Sequence, residues 1–369
     1  MNRLAEYDAN VSAVRKLIAS AGLGCLLISD HSNVAWLAGG GRSYVSWAVE
    51  QGAARVLVTP TDVLLITSNN ETRRLEAEEF AGLPWKLVDH PWWEGPARLL
   101  TELLSSNGPA GVDSRVPWAP DATILGPEIA RLRVNLSDRA QERARALGKV
   151  VGETMSDICR AIEPGESEME IAGRVVGSML SRGAEVTTCL VAADERIYQW
   201  RHLLPTEKKL RQYAAISVCA RHDGLIMSIS RLVHFGQPSD DVLRRIRTVC
   251  EIDAALIEAT RPGATSGQLF ELAAAGYARA GYGEEWRNHH QGGLTGYKGR
   301  EWFATPGGNE IIAAGQLVAW NPMLPGAKCE DTLLVGETGS EILTESKDFP
   351  VLEIPTASGV VRRPSLLIR

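Results

Sequence analysis

The chain has 369 residues, 44% of them hydrophobic and 23% charged, a size that exceeds one ordinary core and suits two domains. Its net charge of −6 has no block of Lys and Arg to offset it, which argues against a nucleic-acid footprint; Arg73-Arg74 and Arg244-Arg245 read as solvated helix faces. No apolar run approaches the roughly 18 residues of a membrane span, the opening segment lacks a leader's apolar centre, and six scattered cysteines read as reduced thiols, so a cytoplasmic protein is expected, with no nucleic-acid or membrane partner.

In chain order, helical periodicity over 5–21 gives way to short apolar runs at 25–29, 54–59, 62–67, 85–89 and 110–113, which read as strands. Helices are predicted between them at 71–81 and 95–106. This pattern predicts a small α/β domain over 1–125. Pro117, Pro120 and Pro127 then punctuate the chain, and a connector is placed at 126–137. Ser137 or Asp138 is the candidate cap of a long helix opening the second domain, 138–369.

The second domain repeats itself. Pro164-Gly165-x-Ser167-x-x-x-Ile171 recurs as Pro262-Gly263-x-Thr265-x-x-x-Leu269, and in both copies a glycine (Gly183, Gly281) stands nineteen residues after the proline. Each copy predicts a helix ending at Pro-Gly, a hydroxyl capping the next helix, and a glycine stopping that helix.

Between the copies, residues 214–236 read AAISVCARHDGLIMSISRLVHFG, with Ser217 and Ser228 eleven positions apart. Together with the repeat, this stretch resembles the strand–turn–strand of the pita-bread superfamily, which contains creatinase, prolidase, aminopeptidase P and methionine aminopeptidase. The frame Ala220-Arg221, Gly224, Ser230-Arg231 and Gly236 is kept. The resemblance implies an α/β (α+β) fold: a small creatinase-like N-terminal α/β domain, then a pita-bread domain of two pseudo-symmetric halves. Metal-dependent members hold two divalent ions with two Asp, one His and two Glu, the ions about 3.5–4 Å apart.

Carried onto this chain, the resemblance puts Ser217 and Ser228 at the two Asp positions. It puts Asn321, in Leu317–Pro322, at the first Glu and Glu330, in Cys329–Thr332, at the second. The histidine position is open between His290 and Tyr297, the spacing to Asn321 favouring His290. Hydroxyls and an amide are poor hard-metal ligands and leave two dications uncompensated, so no metal and no other cofactor is expected.

Creatinase is the metal-free member, and its resemblance implies that His202, in Trp200–Pro205, is general base and then acid. Glu330 and His290 would orient it, Glu330 having an arginine such as Arg231 as an alternative partner. His289, Ser217, Ser228, Asn321, Tyr297 and Arg300 are candidate substrate-binding residues, Arg300 because its planar fork matches a carboxylate. Arg42, after Gly39–Gly41, is implied to reach the partner's site in a homodimer. The expected activity is metal-independent, creatinase-like attack on a C–N bond (hydrolysis, elimination or cyclisation) in a small, polar, carboxylate-bearing substrate. The alternatives are a metal-dependent Xaa-Pro peptidase and a non-catalytic binding module.

Overall fold

In the computed structural model, which describes residues 1–369, the chain divides into two units, Met1–Ala140 and Gln141–Arg369. The first opens with α1 (Arg3–Ser20), whose N-cap Asn2 accepts a hydrogen bond from the Ala5 amide. It continues through β1 (Cys25–Asp30), α2 (His31–Leu37), β2 (Gln51–Val58), β3 (Val63–Ser68) and α3 (Thr72–Arg74). It closes with β4 (Lys86–His90), α4 (Ala97–Ser106), β5 (Ala110–Val112), β6 (Thr123–Ile124) and α5 (Gly126–Arg133).

The six strands form one mixed sheet in the order β4-β3-β2-β1-β5-β6. Every residue of β1 is buried, which explains why its sequence is a nearly unbroken apolar run rather than an alternation. Leu27, Leu57, Ile66 and Val112 pack with Leu100 and Leu104, fixing α4 against the sheet. Three local readings differ from expectation. The sequence predicts no helix between the strand runs at 25–29 and 54–59, where α2 forms and Gly39, Gly40 and Gly41 follow with positive φ. The helix expected at 71–81 is one α turn followed by a π-helical turn, Leu75–Glu79. Part of the expected connector is α5.

The second unit takes up α6 (Asp138–Ala161), followed by α7 (Glu168–Ser181), β7 (Glu185–Ala193), α8 (Arg196–Gln199), β8 (Tyr213–His222) and β9 (Leu225–His234). The second copy of the repeat brings α9 (Asp240–Ala259), α10 (Ser266–Arg279), β10 (Gly292–Thr295), β11 (Trp302–Phe303) and β12 (Leu317–Trp320). The remainder is β13 (Met323–Leu324), β14 (Ala327–Lys328), β15 (Asp331–Val335), β16 (Ser340–Ile342), β17 (Val351–Thr356), β18 (Gly359–Pro364) and β19 (Leu366–Ile368).

Both repeat signals are realised as hydrogen bonds. Ser167 and Thr265 each close a full capping box, with Glu170 and Gln268 respectively answering from the third helical position. The two larger sheets of this unit are β19-β9-β8-β7 and β11-β10-β12-β15-β16, with β13-β14 and β17-β18 as two-stranded pairs. Asp223 and Gly224 both take positive φ between β8 and β9, the geometry that a two-residue hairpin needs to match strand twist. An isolated bridge, Ser230 to Glu330, ties β9 to the entry of β15 and so brings the two sheets together at one place.

Candidate functional site

Side chains alternate along a strand, so Ser217 and Cys219 share one face of β8, and Ser228 and Ser230 one face of β9. The register sets Ser217 opposite Ser230 and Cys219 opposite Ser228. The two pairs touch: the serine oxygens Ser217 Oγ and Ser230 Oγ lie 2.6 Å apart, and Cys219 Sγ lies 3.3 Å from Ser228 Oγ. Onto this patch comes the segment joining β14 to β15. The Ser230 amide donates to the Glu330 carbonyl at 3.1 Å, and the Glu330 carboxylate accepts from Ser230 Oγ at 2.6 Å.

Two cations flank that carboxylate. Lys328 Nζ stands 2.8 Å from one oxygen of Glu330, and Arg300 Nη2 stands 3.4 Å from the other. Lys328 also donates to Ser217 Oγ and Arg300 to Ser228 Oγ, each at 3.4 Å. All three charged side chains are about nine-tenths buried or more. Burial alone would raise the Glu330 pKa, but the attraction of Lys328 and Arg300 outweighs it and holds the group at about 2. Glu330 is therefore a carboxylate at neutral pH, engaged by Lys328, Arg300 and Ser230. Arg231 pairs instead with Asp331, at 2.9 Å.

His289 and His290 stand just before β10, with Gln291 between. Their rings stack with centroids 4.4 Å apart, and His202, in the stretch between α8 and β8, has its ring 5.6 and 6.5 Å from them. Loss of solvent is the main force on both imidazoles, His289 buried and His290 partly so, reinforced by Lys328 for His289 and by Arg300 and Lys328 for His290. It pushes His289 down to about 2 and His290 to about 4, so both are neutral near pH 7. Gly292 and Gly293 let β10 run against Ala319–Trp320 on one side and Trp302–Phe303 on the other, where a Cβ would collide with carbonyl oxygens.

Asn321 is buried just after β12, its amide donating to the Gln291 carbonyl at 3.0 Å. Four buried side-chain atoms here have no protein partner: Asn321 Oδ1, Arg300 Nε, His289 Nδ1 and His290 Nδ1. Tyr297 is buried, and its hydroxyl accepts from Arg143 Nη2 at 3.0 Å. Arg42, in the first unit, is ion-paired with Glu79 at 2.9 Å. Sequence reasoning gave no site role to Lys328, Ser230 or Cys219, Ser230 entering only as part of the kept frame. The available signal was the two-residue period: Lys328 stands two before Glu330, Cys219 two after Ser217, and Ser230 two after Ser228.

The positions that the pita-bread resemblance assigns to a metal pair thus hold one carboxylate, two hydroxyls, an amide and either the His290 imidazole or the Tyr297 phenol, with two resident cations in contact. Such a donor set does not fit two hard dications. His202, His289 and His290 bring nitrogen atoms within 4.8 Å of one another, a donor set for a single borderline ion such as Zn²⁺. The adjacent Lys328 and Arg300 oppose further positive charge there.

Residues 142–337 match the profile of metallopeptidase family M24, and residues 11–123 match the Creatinase/Prolidase N-terminal domain. Among curated relatives, the Xaa-Pro dipeptidase of Pyrococcus horikoshii is 26% identical over 196 residues, covering 50% of this chain and 55% of that protein. The chain thus spans little more than half the length of this first curated relative. The probable dipeptidase PepE of Mycobacterium tuberculosis is 23% identical over 361 residues, 90% of this chain and 94% of that one.

Of solved structures, dipeptidase PepE from Mycobacterium ulcerans superposes with a TM-score of 0.78 at 19% identity, covering 100% of this chain and 99% of its own. The prolidase from Pyrococcus horikoshii also gives 0.78 at 19% identity, over 92% and 99%. Likeness at this identity speaks for the fold. These names overturn the expectation of a metal-independent, creatinase-like enzyme: the relatives and neighbours are called Xaa-Pro dipeptidases and prolidases, which is the peptidase alternative.

Proposed function

The chain belongs to metallopeptidase family M24, and on that premise we propose that it is a peptidase hydrolysing short peptides of the Xaa-Pro dipeptide type. The names of the relatives supply the substrate class. The observation that carries the reading is the set of unpartnered atoms in one buried site: an acceptor on Asn321, a donor on Arg300, and a ring nitrogen on each of two neutral histidines. An Xaa-Pro dipeptide brings the complement, an amino group for the acceptors and a carbonyl and a carboxylate for the donors. A buried polar atom left unmet costs about 1–3 kcal/mol, so a ligand that meets several of them at once is favoured.

In this reading Arg300 and Lys328 hold the negative end of the peptide. His202, exposed beside His289 and His290, offers an imidazole nitrogen at the scissile amide, where it accepts or donates a hydrogen bond or a proton. The family's metal pair supplies an activated water in its metal-dependent members. The donor set here does not fit that pair, and the peptide is positioned by this chain's own side chains.

The test is release of free proline from a panel of Xaa-Pro dipeptides, with Xaa-Ala dipeptides as comparison. It is run with added Mn²⁺, Co²⁺ or Zn²⁺ and again with a chelator. Turnover that favours Xaa-Pro under either condition supports the peptidase reading; none under any of them overturns it.

A further inference from the structure

We propose that Lys328 and Arg300 make the ground that the family's resemblance gives to metal ions into a carboxylate-binding cradle. The deduction starts from charge. The site holds two cations and one carboxylate, so one positive charge is left over. A surplus buried charge is costly until something of opposite sign meets it. No further acidic side chain is in hydrogen-bond contact with either cation: Lys328 reaches Glu330 and Ser217, and Arg300 reaches Glu330, Ser228 and its neighbour's carbonyl.

Hydrogen-bond capacity agrees with charge. Glu330 and Ser217 engage two of the three Lys328 donors. Arg300 Nε is buried without a partner, although guanidinium offers five donors in a fixed fork. The serines fit this role better than aspartates would. A carboxylate at either position would neutralise the surplus and leave an incoming anion nothing to bind. A hydroxyl steadies the cation and leaves its charge in place. The same substitutions that spoil the donor set for metal therefore create the anion site.

As a subsite the cradle rests on the peptidase reading, since the anion it takes there is the carboxylate of the substrate. Anion binding itself can be tested apart from turnover, on the full chain. Acetate is titrated by calorimetry and by thermal shift, with acetamide as the uncharged control of the same shape. Acetate is expected to bind and to raise the melting temperature where acetamide does not. Lys328→Met and Arg300→Met should each weaken acetate about tenfold or more, a loss of about 1.4 kcal/mol or more. Lys328→Arg, which keeps the charge beside Glu330, should stay within a fewfold of the parent and guards against a variant that merely unfolds.

Equal response to acetate and acetamide overturns the cradle, as does a folded Lys328→Met that binds acetate like the parent. Tight uptake of two equivalents of Mn²⁺ per chain overturns it too, because ions would then stand where the side-chain cations do. Acetate binding with Xaa-Pro dipeptides left intact would keep the cradle and remove only the peptidase reading. Turnover without acetate binding would do the reverse.

Discussion

Glu330 is the residue on which the local electrostatics turn, because it alone separates Lys328 from Arg300. Replacing it by glutamine keeps its shape and leaves two like charges buried side by side. Breaking a buried charge pair from one side costs about 3–5 kcal/mol. Glu330→Gln should therefore lower the unfolding free energy in urea by that order, and a loss near zero would mean the site is wetter than its burial indicates. The serines were legible in the sequence as positions, since their spacing matched a known strand pair. Their partners were not. A lysine two residues from a glutamate reads as an ordinary solvated neighbour until the fold shows that both point inward.

Among the elements, the legible ones are those whose signal is local. Ser167 and Thr265 announce their helices by the spacing to Glu170 and Gln268, and the hydrogen bonds form within a single turn. Thr265→Ala should cost about 1 kcal/mol, as should Ser167→Ala, and the double variant about the sum, since the two caps share no partner. Urea midpoints with an unchanged slope would confirm it; a cost confined to one copy would break the parallel between the halves. The helix α2 left no such trace. From Ser32 to Leu37 every residue is buried, so no polar face marks the helical period and the segment passes for a loop. The π-helical turn at Leu75–Glu79 was equally silent, because one extra residue in a turn leaves the composition unchanged.

For the whole molecule, neutral burial of histidine makes stability depend on pH. Unfolded, His289 and His290 take up protons near 6.5; folded, they resist until about 4 for His290 and about 2 for His289. In that interval the unfolded chain binds more protons, so stability is complete above pH 6.5 and is lost progressively as pH falls. Glu330 acts in the same direction lower down: its folded value of about 2 lies under the ordinary 4.5, so its contribution is present above 4.5 and fades towards 2. The melting temperature should thus drop between about pH 7 and about pH 5, and His289→Gln should flatten the drop. An unaltered slope in that variant would assign the titration to other groups. At this scale the fold was readable, because a repeat and a strand pair span much of the chain. Activity was not, since the missing ligands pointed to creatinase while the relatives by name are dipeptidases.

Gly292 and Gly293 have one more effect. Their lack of side chains sets the clearance between β10 and the strands on either side, with the carbonyls of Ala319 and Trp302 in the way of any methyl group. A side chain there would force β10 off its neighbours and disturb the backbone that carries the stacked imidazoles. Any effort to retune selectivity should therefore leave these two positions as bare backbone and vary the side chains around them.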